Sequence, residues 1–205
     1  MHGGVLRRIA AGLTIAMALA AAPAMETAAN EKTFIQSLAD QAIAALSDQS
    51  ISLEARESRF QRLLRDGFAM RKIGRYVVGR YWKAMNPDQQ GEYQALFAAW
   101  ILKSYSAQLG GYSGQKFEIY RTAKAGSKGL FVRTRIVRPG VAPLRCDWRV
   151  RKFKSGYKVV DVVIEGVSML STQRAEFTAV LRKYGPDGLI DALQMRLMKF
   201  PATSG

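Results

Sequence analysis

The sequence predicts an α+β fold that combines helices with a four-stranded antiparallel meander sheet. Three observations carry this. Apolar residues recur at helical spacing through the first half of the chain, the period changes to two after Gly114, and helical spacing returns at Ser171. Helices, then strands joined by short turns, then helices is an α+β order.

Taken in order, the first helix runs from Glu31 to Ser47 on Phe34, Leu38, Ile43 and Leu46, and Gln49-Ser50-Ile51-Ser52 breaks it. Ser52 is placed to cap a second helix over Leu53–Phe68, with Phe60, Leu63 and Leu64 on one stripe. A third helix over Met70–Met85 carries Met70, Ile73, Val77, Tyr81 and Ala84 on one side and sets Arg71, Lys72, Arg75 and Lys83 largely away from it. Asn86-Pro87-Asp88 starts the fourth, since Asn caps, Pro fits the first turn and Asp suits the positive end of the dipole. That helix reaches about Leu109 with an unusually aromatic stripe, Tyr93, Leu96, Phe97, Trp100, Ile101, Ser104 and Tyr105. Such a stripe fits plain core packing or the wall of a ligand pocket.

Four strands come next, Lys116–Thr122, Leu130–Arg138, Leu144–Phe153 and Tyr157–Glu165, separated by turns rich in Gly, Ser and Pro. In the middle pair, Leu130, Val132, Thr134 and Ile136 and then Leu144, Cys146, Trp148 and Val150 alternate with Arg133 and Arg135 and then with Arg145, Asp147, Arg149 and Arg151. One face is therefore apolar and the other basic. The fourth strand is apolar on both faces apart from Asp161 and belongs inside the sheet or beneath another element. Asp161 is expected to pair with an arginine or a backbone donor, Glu165 to mark the strand exit, and Ser168 or Ser171 to cap the next helix. Two last helices, Ser171–Tyr184 and Asp187–Phe200, complete a single domain over residues 25–205.

Residues 1–24 have the layout of a cleavable secretory signal. Arg7 and Arg8 precede an apolar run from Ile9 to Ala22, and Ala22-Pro23-Ala24 supplies the small residues of a cleavage site. Such a signal implies export to the periplasm. The chain carries 31 Lys+Arg against 16 Asp+Glu, a net +15, which favours anionic partners. For an exported chain these are membrane phosphates rather than nucleic acid.

The single histidine, His2, lies in the signal, so the rest of the chain builds no Ser-His-Asp triad, Cys-His pair or histidine metal site. One cysteine, Cys146, excludes an intramolecular disulfide and reads as a small buried apolar residue. Asp161 and Glu165 are the carboxylates an enzyme would use, but nothing in their spacing marks a catalytic pair. No catalysis, cofactor or metal is expected.

Several ordered strings are specific when taken together: Ile73-Gly74-Arg75-Tyr76-Val77-Val78-Gly79-Arg80-Tyr81-Trp82, Val160-Asp161-Val162-Val163-Ile164-Glu165-Gly166-Val167-Ser168-Met169, Thr172-Gln173-Arg174 and Glu176-Phe177. They resemble the MlaC family of periplasmic phospholipid-binding proteins, also called toluene-tolerance proteins. The likeness continues through Tyr112-Ser113-Gly114, Asp147-Trp148-Arg149-Val150 and Gly188-Leu189-Ile190. The resemblance implies that the helices pack on a twisted four-stranded antiparallel meander sheet and enclose an apolar lipid pocket, and it implies a lipid shuttle of an ABC-type intermembrane transport system. Its implied partners are an inner-membrane ABC transporter complex with an MCE-domain protein and an outer-membrane lipoprotein complex. Two features depart from the family pattern: Cys146 stands where an aliphatic residue is expected, and the chain is more basic than expected. Related chains encoded with hopanoid-synthesis enzymes keep similar motifs, so the resemblance implies a phospholipid or a hopanoid as cargo. An interaction module docking its basic face on anionic membrane, with no lipid held inside, is the alternative.

On this reading Ile73, Val77, Tyr81, Phe97, Trp100, Ile101, Tyr105, Val132, Ile136, Trp148 and Val150 converge on one lipid cavity. Arg75, Arg80, Arg133 and Arg149 are the candidates for meeting a headgroup phosphate or for docking, because arginine offers two parallel donors to an anion. Gly74 and Gly79 either let another backbone approach the third helix closely or let it flex for lipid entry.

Overall fold

The computed structural model describes residues 22–107, 114–126 and 129–200. The predicted signal segment lies almost wholly outside the described residues, as do the end of the fourth predicted helix and Tyr112-Ser113. The elements are α1 (Ala22–Ser47), α2 (Leu53–Gly67), α3 (Met70–Val78), a 3-10 segment (Gly79–Lys83), α4 (Pro87–Ala107), β1 (Lys116–Lys124), β2 (Leu130–Arg138), β3 (Val141–Phe153), β4 (Gly156–Ile164), β5 (Val167–Ser168) and α5 (Met169–Met198). Among the described residues no helix is long and apolar enough to cross a membrane.

The sheet is antiparallel throughout, in the order β1-β2-β3-β4-β5. It has five strands rather than the predicted four. The fifth is two residues long, too short for any alternation to reveal, and it forms because Glu165-Gly166 turns the chain back to pair Val163 with Ser168. Glu165 takes a left-handed φ of 47°, and its carboxylate accepts from the amide and guanidinium of Arg145. These bonds hold that carboxyl below its ordinary range.

Local capping explains the helix starts. Ser52 accepts from the Ala55 amide at 3.2 Å. Asn86 and Gln89 form a reciprocal capping box, each side chain accepting from the other's amide at 2.9 and 3.0 Å. Ser168 accepts from Ser171 at 3.1 Å. The third predicted helix changes character at Gly79, whose φ of 55° ends the α-helical turn. An added Cβ there would stand 2.8 Å from an Arg174 guanidinium nitrogen, and one at Gly74 would stand 3.0 Å from Gln94 and Phe97 atoms. The close neighbours of this segment are thus side chains of α4 and α5 rather than another backbone. The two C-terminal helices are joined directly, with Gly185 (φ 68°) making a kink in front of Pro186.

Two apolar clusters result. The larger is helical: Val77, Val78, Met85, Tyr93, Phe97, Leu170, Phe177, Leu181, Leu189, Ile190 and Leu193 pack α3, α4 and α5 together. Phe97, Phe177 and Tyr93 interlock at ring separations of 5.7 to 6.4 Å. The Tyr93 hydroxyl donates to the Gly74 carbonyl at 2.9 Å, and burial raises its pKa. The smaller cluster joins α1 to the sheet through Ile35, Val132, Val150 and Val159. Asp161 fastens the two halves. It accepts from Ser168 Oγ at 2.8 Å and from the Leu170 amide at 3.1 Å, and lies 3.5 Å from Arg149. Both kinds of partner expected for this carboxylate are therefore present.

Candidate functional site

The site begins with two amphipathic helices that have more apolar surface than one another can cover. The α1 stripe presents Leu38, Ala39, Ala42, Ile43 and Leu46, and the α2 stripe presents Phe60, Leu63 and Leu64, to the apolar face of the sheet. On that face cross-strand partners stand in rows. Phe117, Ile136 and Leu144 are aligned across β1, β2 and β3, and Val132, Trp148 and Val162 across β2, β3 and β4. Between helices and sheet lies a cavity of about 510 Å³, lined also by Ile35, Phe68, Gln115 and Arg138. Its volume falls within the range of small-molecule sites, roughly 300–1,000 Å³.

Fourteen of the sixteen lining residues are apolar; the other two, Gln115 and Arg138, sit side by side at one end. Lys116 pairs with Val137, so the next positions outward on the two strands are Gln115 and Arg138. The opposite direction is closed by Ile35, Val132, Val150 and Val159 and by Trp148, whose ring meets Phe68 and Phe117 edge-on at 6.4 Å. Trp148 is fixed by a two-step relay: its indole N–H donates to Thr134 Oγ1 at 3.0 Å, and the buried Thr134 hydroxyl donates to the Cys146 carbonyl at 2.7 Å. A fully buried threonine in an apolar face is thereby satisfied, and an aromatic wall is held in one orientation.

The residues singled out in the sequence do not meet in one place. Ile136 and Trp148 line the cavity, and Val132 and Val150 are buried in the cluster at its closed end. Ile73, Val77, Tyr81, Phe97, Trp100 and Ile101 belong instead to the helical core. Tyr105 lies in neither; it is half-buried towards the carboxylates of Asp161 and Glu176, and burial first, then those charges, raises its pKa. The physical reason is plain. Helical periodicity tells which side of a helix is buried but not whether side chains or empty space lie opposite.

The arginine candidates are engaged elsewhere. Arg75 stacks over Trp82 at 5.7 Å and Arg80 over Tyr81 at 5.2 Å. Arg133 and Arg149 face Asp147 and Asp161 on the other side of the sheet, each at 3.5 Å. The lining residues that reasoning from the sequence missed come mostly from the stripes of α1 and α2, together with Phe68, Gln115, Phe117, Leu144 and Arg138.

Cys146 is buried on the cavity side of the sheet without lining the cavity. Burial, reinforced by the charges of Asp147 and Glu165, pushes its thiol up to about 11. At pH 8 the native protein is therefore expected to react with a thiol reagent about a hundredfold more slowly than the unfolded chain, because the thiolate is the reacting form. Equal rates in urea and in buffer would contradict this placement.

Comparison with known proteins agrees with the architecture. Residues 36–195 match the sequence model of the MlaC protein family. The intermembrane phospholipid transport system binding protein MlaC of Haemophilus influenzae is 34% identical over 125 residues, which span 59% of this chain and 58% of that protein's length. The structure of a phospholipid-binding protein from Ralstonia solanacearum, solved in complex with a phospholipid, superposes with a TM-score of 0.73 at 22% identity, covering 82% of this chain and 97% of that one. It shares the fold: helices on an antiparallel sheet. With the family match extending over most of the sequence and through every element from α1 to α5, the chain belongs to the MlaC family.

Proposed function

We propose that this protein is a periplasmic carrier that holds the acyl chains of a phospholipid in the cavity between α1, α2 and the sheet and moves the lipid between membranes without catalysis. The observation that carries this reading is the cavity itself, apolar along its walls and polar at one end only. Two lipid tails exposed to water cost on the order of 20 kcal/mol at about 0.8 kcal/mol per methylene, so a carrier has to enclose them. Ile136, Trp148 and the α1 and α2 side chains supply that enclosure. The helical core around Phe97 supplies the rigidity against which α2 and the sheet are held.

The same reading assigns residues 1–24 to an export signal and residues 25–205 to one lipid-binding domain. It gives the carrier two docking partners, an inner-membrane ABC transporter complex with its MCE-domain protein and an outer-membrane lipoprotein complex. The Haemophilus influenzae relative is named for an intermembrane phospholipid transport system, and the Ralstonia solanacearum structure holds a phospholipid. Both lend support to a phospholipid cargo.

A transfer assay tests the proposal. With fluorescent phospholipid in donor vesicles and unlabelled acceptors, purified protein is expected to raise the transfer rate in proportion to its concentration, with no lysolipid or fatty acid released. Binding to anionic vesicles that disappears at high salt, with no transfer at low salt either, would favour the docking module instead.

A further inference from the structure

We infer that Arg138 is the phosphate-recognising residue at the mouth of the cavity, which makes this a site for lipids with a phosphate headgroup rather than for apolar lipids of the same shape. The inference rests on the carrier reading and adds to it the residue that meets the headgroup phosphate. Arg138 is the one charged residue among the sixteen that line the cavity. Alternation along β2 places it on the same face as Val132, Thr134 and Ile136, as the last member of an otherwise apolar or internally satisfied row. A register shift between Ile136 and Arg138 opens the ladder just there, beside the Pro139-Gly140 turn. The guanidinium thus stands at the boundary between apolar wall and solvent, where a lipid's headgroup must lie if its tails point inward.

Charge pairing sets Arg138 apart from its neighbours. Arg133, Arg135, Arg145 and Arg149 each have a carboxylate within 2.7 to 3.5 Å. Arg121, Arg138 and Arg151 have none among the described residues, and of these only Arg138 reaches the cavity. An arginine left unpaired beside an apolar chamber keeps its donors for an incoming anion, and the planar guanidinium suits two oxygens of one phosphate. A lipid phosphate and a free phosphate ion share that chemistry. The fourteen apolar residues that line the rest of the cavity, beyond Gln115 and Arg138, favour the lipid.

The test compares two probes with identical tails, dioleoyl phosphatidic acid and dioleoylglycerol, on purified delipidated protein, and reads the ratio of their affinities. The wild-type protein is expected to prefer phosphatidic acid by about tenfold, a modest factor because Arg138 is solvent-exposed. R138Q should bring the ratio near one, while R138K should keep most of it. Raising the salt should shrink the wild-type ratio, as for any exposed charge contact. A tenfold ratio that survives in R138Q would overturn the assignment. So would a wild-type ratio abolished by an equal concentration of inorganic phosphate, since the site would then be one for the free ion. Dioleoylglycerol binding with no preference in the wild type sinks this inference alone, whereas failure to bind either probe sinks the carrier reading beneath it.

Discussion

Ala42→Trp is expected to empty the protein of lipid while leaving it folded. Ala42 lies on α1 facing the cavity, between Leu38 and Leu46 along the same helix and opposite the sheet. An indole at this position brings roughly 150–250 Å² of apolar surface into space that is otherwise available to an acyl chain. The folded protein gains from filling that space, as cavity-filling substitutions commonly add about 0.5–2 kcal/mol. The lipid loses. Displacing even six methylenes costs on the order of 5 kcal/mol, equivalent to more than a thousandfold in Kd. Thermal unfolding at or above the wild-type temperature together with loss of bound lipid is the predicted pair of results. A variant that is equally stable and fully loaded would mean that the tails lie somewhere else.

Phe97→Ala should do the reverse. Phe97 is fully buried in the helical core, within 5.7 Å of Tyr93 and 6.0 Å of Phe177 between ring centres. Truncating such a phenylalanine costs about 3–5 kcal/mol, from lost burial and from the cavity left behind. For a domain of this size that corresponds to a fall of roughly 10 °C in the unfolding temperature. Because Phe97 is in the other cluster, lipid content per folded molecule should stay at the wild-type level at low temperature. Loss of lipid without loss of stability would place the aromatic stripe of α4 on the ligand, as periodicity alone suggests.

The contrast between Ala42 and Phe97 shows what can be read from the sequence and what cannot. Alternation in β2 and β3 identifies an apolar sheet face correctly, and Ser52, Asn86 and Ser168 mark helix starts where caps form. These are local signals, fixed by a few neighbouring residues. The cavity is not local. It depends on how far α1 and α2 stand from the sheet, and small residues such as Ala39 and Ala42, which contribute by not filling space, leave no mark in an amphipathic pattern. Aromatic side chains at helical spacing point to α4 instead, where Tyr93, Phe97 and Trp100 pack against Phe177. Arg138 is within reach of the sequence, because it interrupts the apolar register of Val132, Thr134 and Ile136, but its place at the end of the strand gives it the look of a turn residue. Arg133 and Arg149, more conspicuous in their alternation, are matched by Asp147 and Asp161 on neighbouring strands. Pairing across strands depends on register, which the single strand does not state.

Whether lipid tails occupy the space between α1, α2 and the sheet is decided by organic extraction and mass spectrometry of protein purified natively, without detergent. A phosphate-bearing lipid in near-stoichiometric amount is expected from the wild type, and little or none from Ala42→Trp. A well-folded wild-type protein that carries no lipid and takes none from vesicles would contradict the carrier function.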